Sequence, residues 1–140
     1  MANIVPDSFK QELFTATHNF NTTSGNTFYL SLYTTVTGFS ASTTNYITTN
    51  EASGTGYTAG GTALVNSTVT VAQNISFISF NNATFSTATL SASCCLIYNT
   101  TQSKKAVVIL DFTTTQTATN GNFTIQFPTA NSTSAVLRIS

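Results

Sequence analysis

From Gly25 onward the apolar positions of the chain recur with a period of two. In FYLSLY, Phe28, Leu30 and Leu32 fall on one side and Tyr29, Ser31 and Tyr33 on the other, the alternation of a half-buried strand. TALVNSTVTVA continues the pattern with Leu64, Val69 and Val71 as anchors, and NISFISF sets Ile75 and Phe77 against Ile78 and Phe80. A bulge in NISFISF would keep all four near a core. TLSASCCLIYN alternates cleanly. KKAVVILDF is apolar on both parities from Ala106 to Leu110, the pattern of a central strand. GNFTIQF points Phe123, Ile125 and Phe127 inward, and SAVLRIS does the same with Ala135, Leu137 and Ile139, leaving Arg138 outward. About eight strands separated by Thr, Asn, Gly and Ser turns predict an all-β protein, an antiparallel β-sandwich or jelly-roll-like barrel.

The N-terminal part breaks the period. Phe9, Leu13 and Ala16 recur at helical spacing, and Ser8 with Gln11 has the form of a capping box, so one short helix is expected over 8–17. Lys10, Glu12 and His18 fall on its solvated side and exit. Residues 1–6 precede it as an arm with no evident core role. Between Thr34 and Gly61 lies a polar connection longer than a hairpin loop, of the kind that carries function or meets partners. One domain spanning 1–140 is expected, with no repeat or linker to divide it.

Composition sharpens this picture. Thr, Ser and Asn supply 60 of the 140 residues, whereas charged residues make up 6% and the net charge is zero. Nucleic-acid binding needs clustered cations, and Lys10, Lys104, Lys105 and Arg138 are the only ones. A surface with so little charge resists association weakly, which points to a protein that ends in an assembly. No segment has the form of a signal peptide or a membrane span. Cys94 and Cys95 are adjacent, so in a strand they face opposite ways and read as small reduced hydrophobes. A reducing compartment of synthesis follows. The seven Asn-x-Ser/Thr triplets are what this composition produces by chance.

Candidate chemistry is sparse. NEASGTGYTAGG, residues 50–61, places four of the seven glycines within eight positions. A phosphate loop would end in Gly-Lys-Ser/Thr and open a helix, but this run has no lysine and enters a strand. It reads as a structural corner: Gly60 and Gly61 take positive φ, Gly54 and Gly56 admit a close backbone, and Tyr57 buries its ring while its hydroxyl finds a partner. A Ser-His-Asp site would have to use His18 with Asp7 or Asp111. The more economical reading makes His18 a surface or capped polar residue and Asp111 the partner of a turn or of Lys104, Lys105 or Arg138. The carboxylates Asp7, Glu12, Glu51 and Asp111 are scattered, and Cys94, Cys95 and His18 make no zinc set. No catalytic, metal or cofactor site is expected.

Four blocks carry a resemblance: FYLSLYTT, STTNYITTNEASGTGYTAGGTAL, LIYNTTQSKKAVVILDF and FTIQFPTANSTSAVLRI. In order and spacing, over about residues 8–140, they resemble small virion structural proteins of tailed bacteriophages. The most specific parts are TNExSGTGYTAGG and FPTA…LRI. The resemblance implies a non-enzymatic particle component made in the host cytoplasm. Within that class it implies a decoration or cement protein that binds the major capsid protein on the outside of the head as a homotrimer, without nucleic acid, membrane or cofactor. Expected contact residues are Ala2, Asn3, Ile4 and Val5 of the arm, with Tyr46, Glu51 and Tyr57 of the long connection. Removing Met1–Pro6 is then expected to weaken capsid binding and spare the fold. The alternatives are a head-fibre or tail receptor-binding module whose Tyr29, Tyr33, Tyr46 and Tyr57 stack on host glycans, and a tail-tube protein, which the low charge disfavours.

Overall fold

The computed structural model describes residues 3–140. One helix, α1 (Asp7–Phe14), is followed by seven strands: β1 (Phe28–Tyr33), β2 (Thr62–Ala63), β3 (Thr70–Ala72), β4 (Ile75–Ile78), β5 (Ala83–Asn99), β6 (Lys105–Ile125) and β7 (Leu137–Ile139). They form two antiparallel sheets, a four-stranded one in the order β2-β1-β5-β6 and a three-stranded one in the order β3-β4-β7. The all-β sandwich expected from the alternation is therefore present.

The alternation in β1 sets its register. Leu30 pairs with Ile97, Leu32 with Cys95 and Tyr33 with Cys94. Each pair shares a face, and the two faces of the sheet build separate cores. One holds Phe28, Leu30, Leu32, Phe85, Cys95, Ile97 and Val107 under the small sheet and α1. The other holds Tyr33, Phe39, Cys94, Leu96, Tyr98, Ala106 and Ile109. Adjacent Cys94 and Cys95 thus enter different cores, as strand geometry requires. What covers the second core is the long connection from Thr34 to Gly61, whose Val36, Phe39, Tyr46 and Ile47 pack on it.

Several elements depart from their sequence expectations. The helix stops at Phe14 rather than 17, and Ala16 already has φ 57°. Its N-cap is Pro6, without a side-chain cap, because the Ser8 hydroxyl donates instead to the Thr43 carbonyl at 3.3 Å. TALVNSTVTVA is split between sheets: Thr62–Ala63 pairs with β1, while Thr70–Ala72 pairs with β4 across a two-residue turn, Gln73–Asn74, with φ of 53° and 63°. Positive φ at both positions is the hairpin turn that follows strand twist. Leu64 is buried, but Val69 and Val71 are exposed, as is Ile139. KKAVVILDF and GNFTIQF are one strand, because the Thr-rich stretch between them continues the pairing with β5 through a series of bulges.

The arm is part of the fold. Ile4 and Ile109 exchange backbone hydrogen bonds of 2.9 and 2.8 Å, so the chain start lies along β6 as a further, one-bridge strand. Ile4 packs on the second core and Val5 on the first, and Pro6 is buried. The expectation of an arm without a core role is overturned. Segment 106–109 is buried on both faces and lies inside the sheet because the arm pairs with what would otherwise be its edge.

Candidate functional site

The contact residues expected in the connection converge on one carboxylate. Glu51 Oε2 accepts the Tyr46 hydroxyl at 2.6 Å. Its Oε1 accepts the Tyr57 hydroxyl at 2.7 Å and the Gly60 amide at 2.6 Å. The Tyr57 oxygen in turn accepts the Leu32 amide at 3.0 Å, which ties the corner to β1. Tyr33 and Tyr98 add bonds of 2.6 Å to the carbonyls of Ile47 and Gly60. Burial first, and then the Glu51 carboxylate, push the phenols of Tyr46 and Tyr57 far above their ordinary range, so both remain donors. Tyr46, Glu51 and Tyr57, each half-buried, form a clasp within the chain.

The glycines serve this clasp. Gly61 has φ +80°, and a Cβ there would sit 1.7 Å from the Leu30 carbonyl oxygen; at Gly54, φ +152°, it would sit 2.0 Å from that of Thr89. Backbone packs where a side chain would stand, which is the structural-corner reading of NEASGTGYTAGG.

In the arm, the Asn3 side-chain oxygen accepts the Asp111 amide at 2.9 Å, and Ile4 and Val5 are engaged as described above. Ala2 lies outside the described residues. Asp111 accepts the Thr113 amide at 2.8 Å, which together with neighbouring groups holds its carboxyl below the usual range. The bond lies inside β6, next to the positive φ of Thr113, and not in the turn expected between two strands.

Sequence reasoning missed a polar cluster under α1. His18 is 7% exposed, not on the surface. Its Nε2 lies 2.7 Å from Glu12 Oε2, and Lys105 Nζ lies 2.7 Å from Glu12 Oε1. Its Nδ1 lies 3.1 Å from Asn99 Nδ2. Asn99 Oδ1 already accepts the amides of Thr101 and Gln102, so the Asn99 NH2 donates to His18. His18 Nδ1 is then an acceptor and Nε2–H donates to Glu12. Burial pushes His18 below its ordinary pKa, only partly offset by the Glu12 carboxylate. Burial alone would raise Glu12, but hydrogen bonds from Lys105 and His18 outweigh it and lower the net value. Both ring nitrogens are thus engaged within the cluster. The only hint in the sequence was one acid and one histidine six residues apart; Lys105 and Asn99 come from the far end of the chain.

The thiols are equally committed. Burial raises Cys94 to about 12 and Cys95 further still, and a protonated buried thiol is a poor nucleophile or ligand. Among the described residues, no group of three or more His, Cys, Asp or Glu side chains is placed to hold a metal.

What the protein presents outward is hydroxyl. On the ribbon of β5 and β6, Ala83, Phe85, Leu90, Ala118, Phe123 and Ile125 turn inward, while Thr84, Thr117, Thr119 and Thr124 turn outward and are exposed. Cross-strand partners bond to each other, Thr84 to Thr124 at 3.0 Å and Ser91 to Thr117 at 2.9 Å. No family model, curated protein or solved structure matches this chain.

Proposed function

We propose that the chain is a non-catalytic structural component of a tailed-phage particle, a decoration protein that binds the major capsid protein on the outer surface of the head. The observation that supports this reading best is the uncharged hydroxyl face of the β5–β6 ribbon. Such a face hydrogen-bonds to a partner without the desolvation cost of charge. It is carried on paired strands of 17 and 21 residues, so little order must be gained on binding. Modest affinity per contact is sufficient on a repeating shell, where many sites multiply it. We put this ribbon ahead of Ile4, Val5, Tyr46, Glu51 and Tyr57 as the shell contact, because those five side chains are engaged within the fold. The glycan reading is weakened on the same ground: Tyr33 is fully buried, and the hydroxyls of Tyr46 and Tyr57 are held by Glu51.

The test is to mix purified protein with undecorated heads and image them. The double variant Thr117→Glu, Thr124→Glu puts two carboxylates on the exposed face without touching either core. It gives up the exposed Thr84–Thr124 and Ser91–Thr117 bonds, so it should unfold about 1–2 kcal/mol more easily yet stay folded under the assay, and it should lose occupancy at least about tenfold, the equivalent of about 1.4 kcal/mol. Normal decoration by the variant, or no decoration by the wild type, removes the reading.

A further inference from the structure

Asn120–Gly121 is the only asparagine–glycine step in the sequence. It sits in β6 at the least regular part of the ribbon. Asn120 has φ 48° and Thr87 on the facing strand has φ 50°, and the pairing of Ala88 with Gly121 has a register shift on either side. Asparagine and aspartate are the residues besides glycine that take this conformation readily. The Asn120 amide donates to Thr89 Oγ1 at 2.9 Å, which fixes the bulge. Its exposed carboxamide makes no hydrogen bond with the described residues. The other asparagines followed by a small residue are Asn66, Asn82 and Asn131, and each is tied down. Asn66 Nδ2 donates to the Phe20 carbonyl. Asn82 Oδ1 accepts the Phe127 amide at 3.0 Å, and Asn131 Oδ1 accepts the amides of Thr133 and Ser134, both at 2.8 Å.

We propose that Asn120–Gly121 is a self-modification site, at which the folded chain slowly converts one neutral carboxamide of the ribbon into a carboxylate. The Gly121 backbone nitrogen gives its proton to solvent base and attacks Asn120 Cγ. A C–N bond forms, the carboxamide nitrogen takes up a proton and leaves as ammonia, and a cyclic succinimide remains. Water then adds to either ring carbonyl and opens it, leaving aspartate or an isoaspartate with an extra main-chain methylene. Water is the only co-reactant, and nothing is oxidised or reduced. Glycine suits the step because no Cβ shields its nitrogen and its backbone turns most freely. Asparagine is a thermolabile residue in general; here the unbonded carboxamide and the irregular pairing select one position. The product adds a negative charge to a chain whose net charge is zero, between Thr117 and Thr124 on β6. The consequence rests on the function proposed above: a carboxylate there must shed water against the shell, so unassembled protein loses head binding as it ages.

The site is tested without heads. Purified protein is aged in warm, mildly alkaline buffer and mapped by peptide mass spectrometry, with isoaspartate formation and ammonia release as further readouts. Asn120 should exchange NH2 for OH at least about tenfold faster than Asn66, Asn82 or Asn131, and within about tenfold of its own rate in urea. Gly121→Ala should slow the exchange at least about tenfold. Gly121 does not take positive φ, and a Cβ there meets nothing closer than the Thr119 carbonyl oxygen at 3.7 Å, so this variant keeps the fold. An Asn120 that stays intact in the folded protein while the urea-unfolded chain reacts overturns the site, as does a Gly121→Ala protein that reacts at the wild-type rate. The consequence is read separately with Asn120→Asp, which should lower head occupancy at least about threefold. Equal occupancy removes the consequence and leaves the site. A wild type that does not decorate heads removes the functional reading and the consequence together, while the mass map decides the site on its own.

Discussion

His18 is held neutral through both of its ring nitrogens. Protonating Nδ1 would set an N–H against the Asn99 NH2, and Asn99 cannot turn its oxygen round without releasing the amides of Thr101 and Gln102. Glu12 from α1 and Lys105 from β6 are the ionic groups facing the ring, one favouring its charge and the other opposing it. The folded state therefore resists a proton that the unfolded chain takes up near the ordinary histidine value of 6.5. Above that pH neither state binds it and His18 contributes nothing. Below it the unfolded state gains protons first, so stability falls as pH drops, by up to about 1.4 kcal/mol per pH unit, and levels off once the folded ring also charges. Urea unfolding at about pH 7.5 and about pH 5.5 should show this loss, and His18→Gln should flatten it. Because there is one histidine, its NMR titration reads the same event directly; an unshifted titration sinks the prediction. The sequence could not place this residue. Glu12 is six positions away, but Lys105 and Asn99 lie 93 positions from Glu12 and 81 from His18.

At the level of elements, the connection from Thr34 to Gly61 behaves as a lid. Its length marked it as unusual, and the partner it covers is the second face of its own sheet. Glu51 fastens it with three short bonds. Glu51→Ala strands two tyrosine hydroxyls and one amide, so it should cost about 2–4 kcal/mol in urea unfolding and leave β1, β5 and β6 paired. A loss under about 0.5 kcal/mol would show that the clasp is incidental. The strands themselves were legible where apolar residues alternate, as in FYLSLY and TLSASCCLIYN. They were not legible in TTTQTATNG, where threonine suits both a strand and a turn, and where Thr113 and Asn120 take positive φ inside β6.

Across the whole molecule, stability rests on two apolar cores rather than on charge. The ion pairs among the described residues are Lys10–Asp7, which is exposed, and Glu12 with His18 and Lys105. Exposed pairs contribute roughly 0–1 kcal/mol and are screened by salt. Raising NaCl from about 0.05 to about 0.5 M at neutral pH should therefore move the Tm by less than about 2 °C. A larger fall would mean that electrostatics holds the fold more than its packing suggests.

Local chemistry determined the class of fold. Alternation with a period of two, a run of apolar residues on both parities, and glycines where φ is positive are written within a few residues of each other, so the β-sheets and the corner at 50–61 were readable. Only the tertiary structure decided what covers each face. It drew the arm along β6, folded the long connection onto the second core and buried His18 against residues from the far end of the chain. It also left the hydroxyl ribbon facing outward. Those outcomes depend on which distant segments exclude water from the same surface, and that choice is made by packing between elements, which no local pattern encodes.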